Sequence, residues 1–346
     1  MADYTHYAEL DPEWLEFSKT YKPPPIPEDL ALAKTAINEA RSSLFKEVLG
    51  PIEVLSTRDL TIPTRDGNSI PVRLYFPEPR ARISALDELP LYVYLHGGGW
   101  LFGSLDSEDM HCRLITVSVG CIVLNVEYRH TPESKFPTQY HDVFDAVDWI
   151  LSPDRLEEYS ISANNVVVGG VSAGGTLSIA SAVREIERGT HRIKGISASL
   201  PSPVHWTRFP RHLVKDGYSS FEQNANVPLL PMARLEYLHS LLKADPDSPY
   251  VSPFLLPDSM LQQFPPIAFH VCGADPLRDG GLLFEEKLKC LGVETRMRVF
   301  QGWPHAFWNL PQIKFSATFR QRMIGDAEWL FGVKNVAASA KLGSKR

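Results

Sequence analysis

From residue 89 onward, short apolar runs alternate with longer stretches of helical spacing, and no other feature constrains this chain as tightly. The runs at 91–95, 121–126, 165–169, 196–200, 267–271 and 295–300 have the length and composition of buried strands. Between them, residues 107–119, 138–151, 174–187, 280–291 and 315–331 fit helices. Strands and helices that alternate in this way build βαβ units, so an α/β fold is expected, with a mostly parallel central sheet flanked by helices.

The remaining segments are expected to decorate that core. Residues 54–63 and 70–76 read as a hairpin around Arg65-Asp66-Gly67-Asn68, where Asp-Gly and Asn favour a tight reversal. Ahead of it, Asp11-Pro12 opens one helix and Pro27 another running over 30–49, with a proline-rich joint at 22–27. Residues 201–256 break the rhythm with several prolines and a helix at 231–242, and an insertion of that size after a strand is most simply a cap. The expected organisation is therefore an N-terminal helical cap segment (1–50), a catalytic core (51–200 and 257–334), a cap insertion (201–256) and a flexible C-terminal tail (335–346).

Composition removes whole classes of function. The formal charge of -6 over 346 residues comes from interspersed acidic and basic groups, which leaves no basic stripe for nucleic acid. No apolar run approaches the roughly 20 residues of a membrane span. The polar start, with Asp3 and Glu9, lacks a secretory signal, and the ending Ser344-Lys345-Arg346 is not a peroxisomal address, so a cytoplasmic location is expected. Cys112, Cys121, Cys272 and Cys290 are scattered without metal-ligand spacing and are expected to be free, buried thiols. That spacing gives no metal site.

The chemistry centres on Gly170-Val171-Ser172-Ala173-Gly174. It follows the strand at 165–169 and precedes a helix, so Ser172 sits on a strained strand-to-helix turn whose glycines leave room for close backbone approach. A serine there is a nucleophile candidate at the C-terminal edge of the sheet. Attack on an ester carbonyl creates an oxyanion that backbone N–H groups must meet. His96-Gly97-Gly98-Gly99-Trp100 follows the strand at 91–95, and the expected donors are Gly98, Gly99 and Ala173, with Gly97 the neighbouring alternative. No Lys-Ser/Thr follows the glycines, which excludes a phosphate-binding loop. His96 reads as a loop-fixing partner and not as a catalyst.

The hydroxyl needs a base, and the base needs a carboxylate to orient it. In this arrangement the chain order is Ser, acid, His. Asp275 lies just past the strand at 267–271 and is the expected acid, whereas Asp279 falls at the start of the next helix, where capping explains it. His305 follows the last strand. His270 is the other histidine beyond Asp245, and its place inside an apolar strand predicts a satisfied core role.

These segments together resemble the hormone-sensitive-lipase-like esterases of the α/β-hydrolase fold. The resemblance rests on His96-Gly97-Gly98-Gly99-Trp100, Glu127-Tyr128-Arg129-His130-Thr131-Pro132-Glu133, Gly170 to Gly175, Asp275-Pro276-Leu277-Arg278-Asp279 and Pro304-His305-Ala306-Phe307. It implies a lid built from the N-terminal helices and the 201–256 insertion, and no cofactor. Three positions depart from the family pattern: Val171 where an acid is usual, Trp100 in place of Phe or Tyr, and Ala306 where Gly is common. Arg129 and Glu133 are expected to fix a loop through ion pairs.

The implied reaction is two-step acyl transfer through Ser172, with His305 as base and Asp275 as orienting carboxylate. Its expected substrate is a small-molecule ester, a short-to-medium acyl ester of a hydrophobic alcohol. Trp100, Phe102, Trp206 and Val171 are the expected substrate contacts, with Phe209, Phe221 and Tyr237 also placed to face the pocket. Two alternatives use other chemistry: lactone opening or thioester product release on the same site, and a non-catalytic ligand receptor, which the presence of His305 disfavours. Pairing of two copies into a homodimer through the cap is compatible with either activity.

Overall fold

The computed structural model describes residues 1–21, 29–78 and 88–333. The proline-rich joint, Pro27 and the C-terminal tail lie outside them. In chain order the described elements are α1 (Pro12–Ser18), α2 (Leu30–Leu49), β1 (Ser56–Pro63), β2 (Ser69–Phe76), β3 (Leu89–Leu95), α3 (Asp109–Val119), β4 (Ile122–Val126), α4 (Thr138–Ile150) and α5 (Pro153–Tyr159). There follow β5 (Ile161–Val171), α6 (Ala173–Arg188), β6 (Gly195–Ser199), α7 (Ser220–Gln223), α8 (Met232–Leu242), α9 (Asp258–Leu261), β7 (Ile267–Ala274), α10 (Arg278–Cys290), β8 (Thr295–Pro304) and α11 (Ser316–Phe331).

The strands form one eight-stranded sheet in the order β1-β2-β4-β3-β5-β6-β7-β8. The β1–β2 hairpin joins β4 antiparallel, and every pair from β4 to β8 is parallel. Side chains alternate between the two faces, as a two-residue strand period demands. In β3, Leu91, Val93 and Leu95 enter one core layer while Tyr92 and Tyr94 enter the other. Helices α4 and α6 pack together on the first face, α3 and α11 on the second. Burial on both sides explains why the central strands read as continuous apolar runs. Each fully buried Val, Leu or Ile there contributes about 1.5–3 kcal/mol.

Local signals set the helix ends. Asp11 caps α1, its carboxylate accepting the Glu13 N–H, and Pro12 occupies the first helical position. For α2 the cap is Asp29, which accepts from the N–H groups of Ala31 and Leu32. The short helix α5 has no counterpart in the sequence expectation. Three of the four cysteines are buried, but Cys290, at the end of α10, is exposed, which corrects the expectation for that residue. It falls on the solvent-facing side of an amphipathic helix.

The chain's first residues pair with the 201–256 segment: Ala2 bridges Val214, and Asp3 pairs with Lys215. On the core side, Lys34 of α2 pairs with Glu133 at 2.6 Å, and Arg129 pairs with both Asp142 and Asp66. Both loop residues thus make the ion pairs expected of them.

Candidate active site

Strand order turns around at β3: the chain steps from β3 outward to β4, then crosses back to place β5 on the other side. Open α/β sheets bind ligands at such a reversal, beyond the C-terminal strand ends. The glycine loop leaves β3 and the serine turn leaves β5, so the reversal makes these two segments neighbours.

Ser172 sits between β5 and α6 with φ 56° and ψ -115°, a backbone region costly for any residue with a side chain. Two contacts impose it. The Ser172 N–H donates to Ser199 O at 2.7 Å, and its carbonyl accepts from Thr176 N at 3.0 Å. The hydroxyl meets His305 Nε2 at 2.9 Å, and His305 Nδ1 meets Asp275 Oδ2 at 2.7 Å. With the carboxylate accepting from Nδ1–H, Nε2 is left as the acceptor for the serine proton. Asp275 is buried and its Oδ1 accepts from Leu277 N at 2.9 Å, so both carboxylate oxygens are engaged. A bulge at the ends of β7 and β8 sets the turns that bring Asp275 and His305 together.

A segment from the insertion braces that acid turn. Asn224, itself buried, donates Nδ2 to the carbonyls of Asp275 (2.9 Å) and Gly273 (3.3 Å). Ser220 donates its hydroxyl to Pro276 O at 2.6 Å and its N–H to Asp279 Oδ2 at 2.7 Å. Asp279 therefore does not cap α10, as its position suggested; it ties the insertion to the core and pairs with Arg278. The pull of a buried N–H and guanidinium outweighs the local cap. Asn224→Ala removes two hydrogen bonds while Arg278 still donates to both carbonyls, so urea unfolding should show a loss of about 1–2 kcal/mol. An unchanged midpoint would remove Asn224 from this role.

The glycine loop is shaped by contact. Gly98 has φ +126°, and a Cβ there would lie 2.4 Å from Phe102 O, so no other residue fits. Among the described residues, no acceptor meets the N–H of Gly97, Gly98, Gly99 or Ala173. His96 holds the loop as expected: it stacks on Tyr128, its Nδ1 is 3.1 Å from Gly97 O, and its Nε2 is 3.3 Å from His130 Nε2. Burial brings the imidazole of His96 down to about 4, and burial with the neighbouring charges brings His130 down to about 2. Both stay neutral when folded, whereas the unfolded chain accepts their protons near pH 6.5. The stability they contribute is complete above pH 6.5 and is lost as pH falls toward 4, by about 3 kcal/mol for His96. Thermal melts from pH 7.5 to 4.5 should show a falling Tm, and a flat profile would contradict the neutral pair. His270 is satisfied in the core by Ser199 and Asp326.

A cavity of about 300 Å³ opens onto Ser172 and His305. Phe102 and Val171 line it, as expected. Trp100 and Trp206 do not: Trp100, turned at φ 59°, sets its indole edge-on to His239, and Trp206 stacks on His205. Phe209, Phe221 and Tyr237 also lie outside its lining; the two Phe rings pack on each other at 5.3 Å. Much of the lining that sequence reasoning missed comes from α2, through Ile37, Ala40, Arg41 and Leu44, and from Arg234 and Leu238 of α8. The spacing 37, 40, 41, 44 is one helix face and was the available signal. Ala306 also borders the cavity, in the left-handed conformation (φ 55°) that suits the glycine usual at this position.

Among the described residues no cluster of His, Cys, Asp or Glu could hold a metal ion, and no helix is long and apolar enough to cross a membrane. A family model described as alpha/beta hydrolase fold matches residues 92–309. The chain is 31% identical to the versiconal hemiacetal acetate esterase of Dothistroma septosporum, over 70% of this chain and 74% of that one. It is 34% identical to the carboxylic ester hydrolase LipN of Mycobacterium tuberculosis, over 76% and 67% respectively. Among solved structures, vibralactone cyclase superposes with a TM-score of 0.85 at 28% identity, covering 96% of this chain and 97% of that one.

Proposed function

This chain belongs to the hormone-sensitive-lipase-like carboxylesterases of the α/β-hydrolase fold, and on that premise we propose that it hydrolyses small-molecule esters through an acyl-enzyme on Ser172. The observation that carries the reading is the hydrogen-bonded relay Ser172–His305–Asp275, at 2.9 and 2.7 Å. Ser172 Oγ attacks the ester carbonyl as its proton passes to His305 Nε2. The imidazolium, held by the ionised Asp275, then protonates the departing alcohol. Water, deprotonated by the same histidine, releases the acid. The unpaired N–H groups of Gly98, Gly99 and Ala173, with Gly97 adjacent, receive the oxyanion, at a few kcal/mol per donor. Residues 1–21 and 29–50, with 201–256, form the cap over the site, and Phe102 and Val171 contact the substrate.

A fluorophosphonate probe is expected to label Ser172 stoichiometrically, as read by peptide mass spectrometry, and to abolish hydrolysis of p-nitrophenyl acetate and butyrate together. Labelling elsewhere, or none, would overturn this assignment. The likeness to vibralactone cyclase favours one second reading, that the same acyl centre works on a lactone. Including a β- and a γ-lactone beside the esters separates the two.

A further inference from the structure

The cavity before Ser172 is apolar over much of its wall but carries more positive than negative charge. Arg41 reaches it from α2, Arg234 from α8 and Glu108 from the residue preceding α3. Glu108 is already committed. It accepts from Tyr94 Oη at 2.8 Å, with His111 Nδ1 at 3.5 Å and Arg41 Nη1 at 3.8 Å. Burial would raise its carboxyl, but His111, Arg41 and His96 outweigh that and bring it down to about 2, so it is ionised.

The arginines are not satisfied in the same way. Arg41 makes only that 3.8 Å ion pair and no directed hydrogen bond among the described residues. Arg234, half-buried, donates Nη1 to Leu229 O at 2.8 Å and meets no carboxylate among the described residues. Elsewhere the chain pairs most of its buried and half-buried arginines closely, as Arg129 with Asp142 at 2.6 Å and Arg192 with Glu185 at 2.7 Å, Arg320 being the exception. A guanidinium withdrawn from water without an anion is costly, and most of the hydrogen-bond fork of Arg234 remains unused. The excess of positive charge is local, because the chain as a whole carries -6.

Placement relative to the reacting centre follows from the helix. Leu238 packs on the glycine loop, its Cδ1 standing 2.4 Å from where a Cβ on Gly99 would be. Arg234 is four residues earlier on the same face of α8, about 6 Å along the axis. Arg234 therefore joins the wall of the cavity that holds Ser172 about one helical turn from the residue that packs on the glycine loop.

We infer that the ester this site takes carries a carboxylate at the end remote from the scissile bond, held by Arg234 with Arg41 as a second cation. This rests on the esterase reading above and adds the substrate class. The carboxylate belongs to the acyl chain or to the alcohol, and matched pairs distinguish the two. In the acyl arm, p-nitrophenyl hydrogen glutarate is compared with p-nitrophenyl pentanoate. In the alcohol arm, 5-acetoxypentanoate is compared with pentyl acetate.

In one arm the charged member should have kcat/KM about ten- to a hundredfold above its neutral partner, mainly through KM, with the advantage shrinking as salt rises. Arg234→Gln should bring that ratio to near one and Arg234→Lys should keep part of it. Because each variant is its own control, a general loss of activity does not move the ratio. A ratio of one or less in both arms of the wild type, or a preference that survives Arg234→Gln, overturns the inference while leaving the esterase reading intact. Calorimetric titration of Ser172→Ala with monomethyl glutarate for the acyl arm and 5-acetoxypentanoate for the alcohol arm needs no turnover. Binding that Arg234→Gln removes supports the inference and its absence overturns it, even if neither ester is cleaved and the esterase reading itself fails.

Discussion

Ser172→Ala is expected to lower kcat for p-nitrophenyl butyrate by about 10⁴- to 10⁶-fold while leaving a folded protein. Among the described residues the side chain removed is the only group hydrogen-bonded to His305 Nε2, whereas the turn is held by backbone contacts, Ser172 N to Ser199 O and Thr176 N to Ser172 O. Alanine adopts the φ 56° backbone at the same strain as serine, so calorimetry should register little beyond one lost hydrogen bond, about 1 kcal/mol. Ser172→Gly separates strain from chemistry. It loses the same activity but should melt above the alanine variant, because glycine removes a backbone cost of about 1–3 kcal/mol. Activity within tenfold of wild type in either variant would refute the nucleophile assignment.

Gly174→Ala should strongly disturb the structure of the site. A Cβ there would lie 2.0 Å from Leu95 O and 2.6 Å from His96 O. Both obstacles are backbone, so no rotamer change relieves the clash. Leu95 is the last residue of β3, registered against Gly170, and His96 begins the glycine loop, so relief must pull the serine turn away from its expected oxyanion donors. Stability should fall by about 3 kcal/mol or more, and the folded remainder should lose about a hundredfold in kcat, as misplacement by 1 Å can cause. Gly325→Ala is the control. It lies in α11 with nothing within 4 Å of its Cβ position, and alanine there should be neutral or stabilising by up to about 1 kcal/mol. Equal behaviour of the two variants would mean that the close approach at Gly174 does not matter.

Both predictions concern parts of the molecule that were legible beforehand. The parallel sheet was visible because strands buried on both faces must be continuously apolar, and its helices because their periodicity differs. Ser172, Asp275 and His305 could be named because each follows a strand, and strand ends on one edge of a parallel sheet converge. Chain order then assigned each a place. The insertion was visible only as a break in rhythm, and the function of its residues was not. Asn224 and Ser220 are ordinary polar residues in a loop until folding sets them against Asp275, Pro276 and Asp279.

The pocket divides the same way. Phe102 and Val171 adjoin the motifs in sequence and were found, whereas Trp100, one residue from the glycines, turns to His239 because of a backbone angle that sequence does not display. Arg41 and Arg234 lie 131 and 62 residues from Ser172 and share its cavity only through the docking of α2 and α8. The sequence by itself determined the fold class and pointed to the proposed reacting groups, because periodicity and strand-end placement are local properties of the chain. Only the tertiary structure decided what surrounds those groups, because a cavity wall is made of side chains whose nearness depends on packing between distant segments and leaves no local pattern.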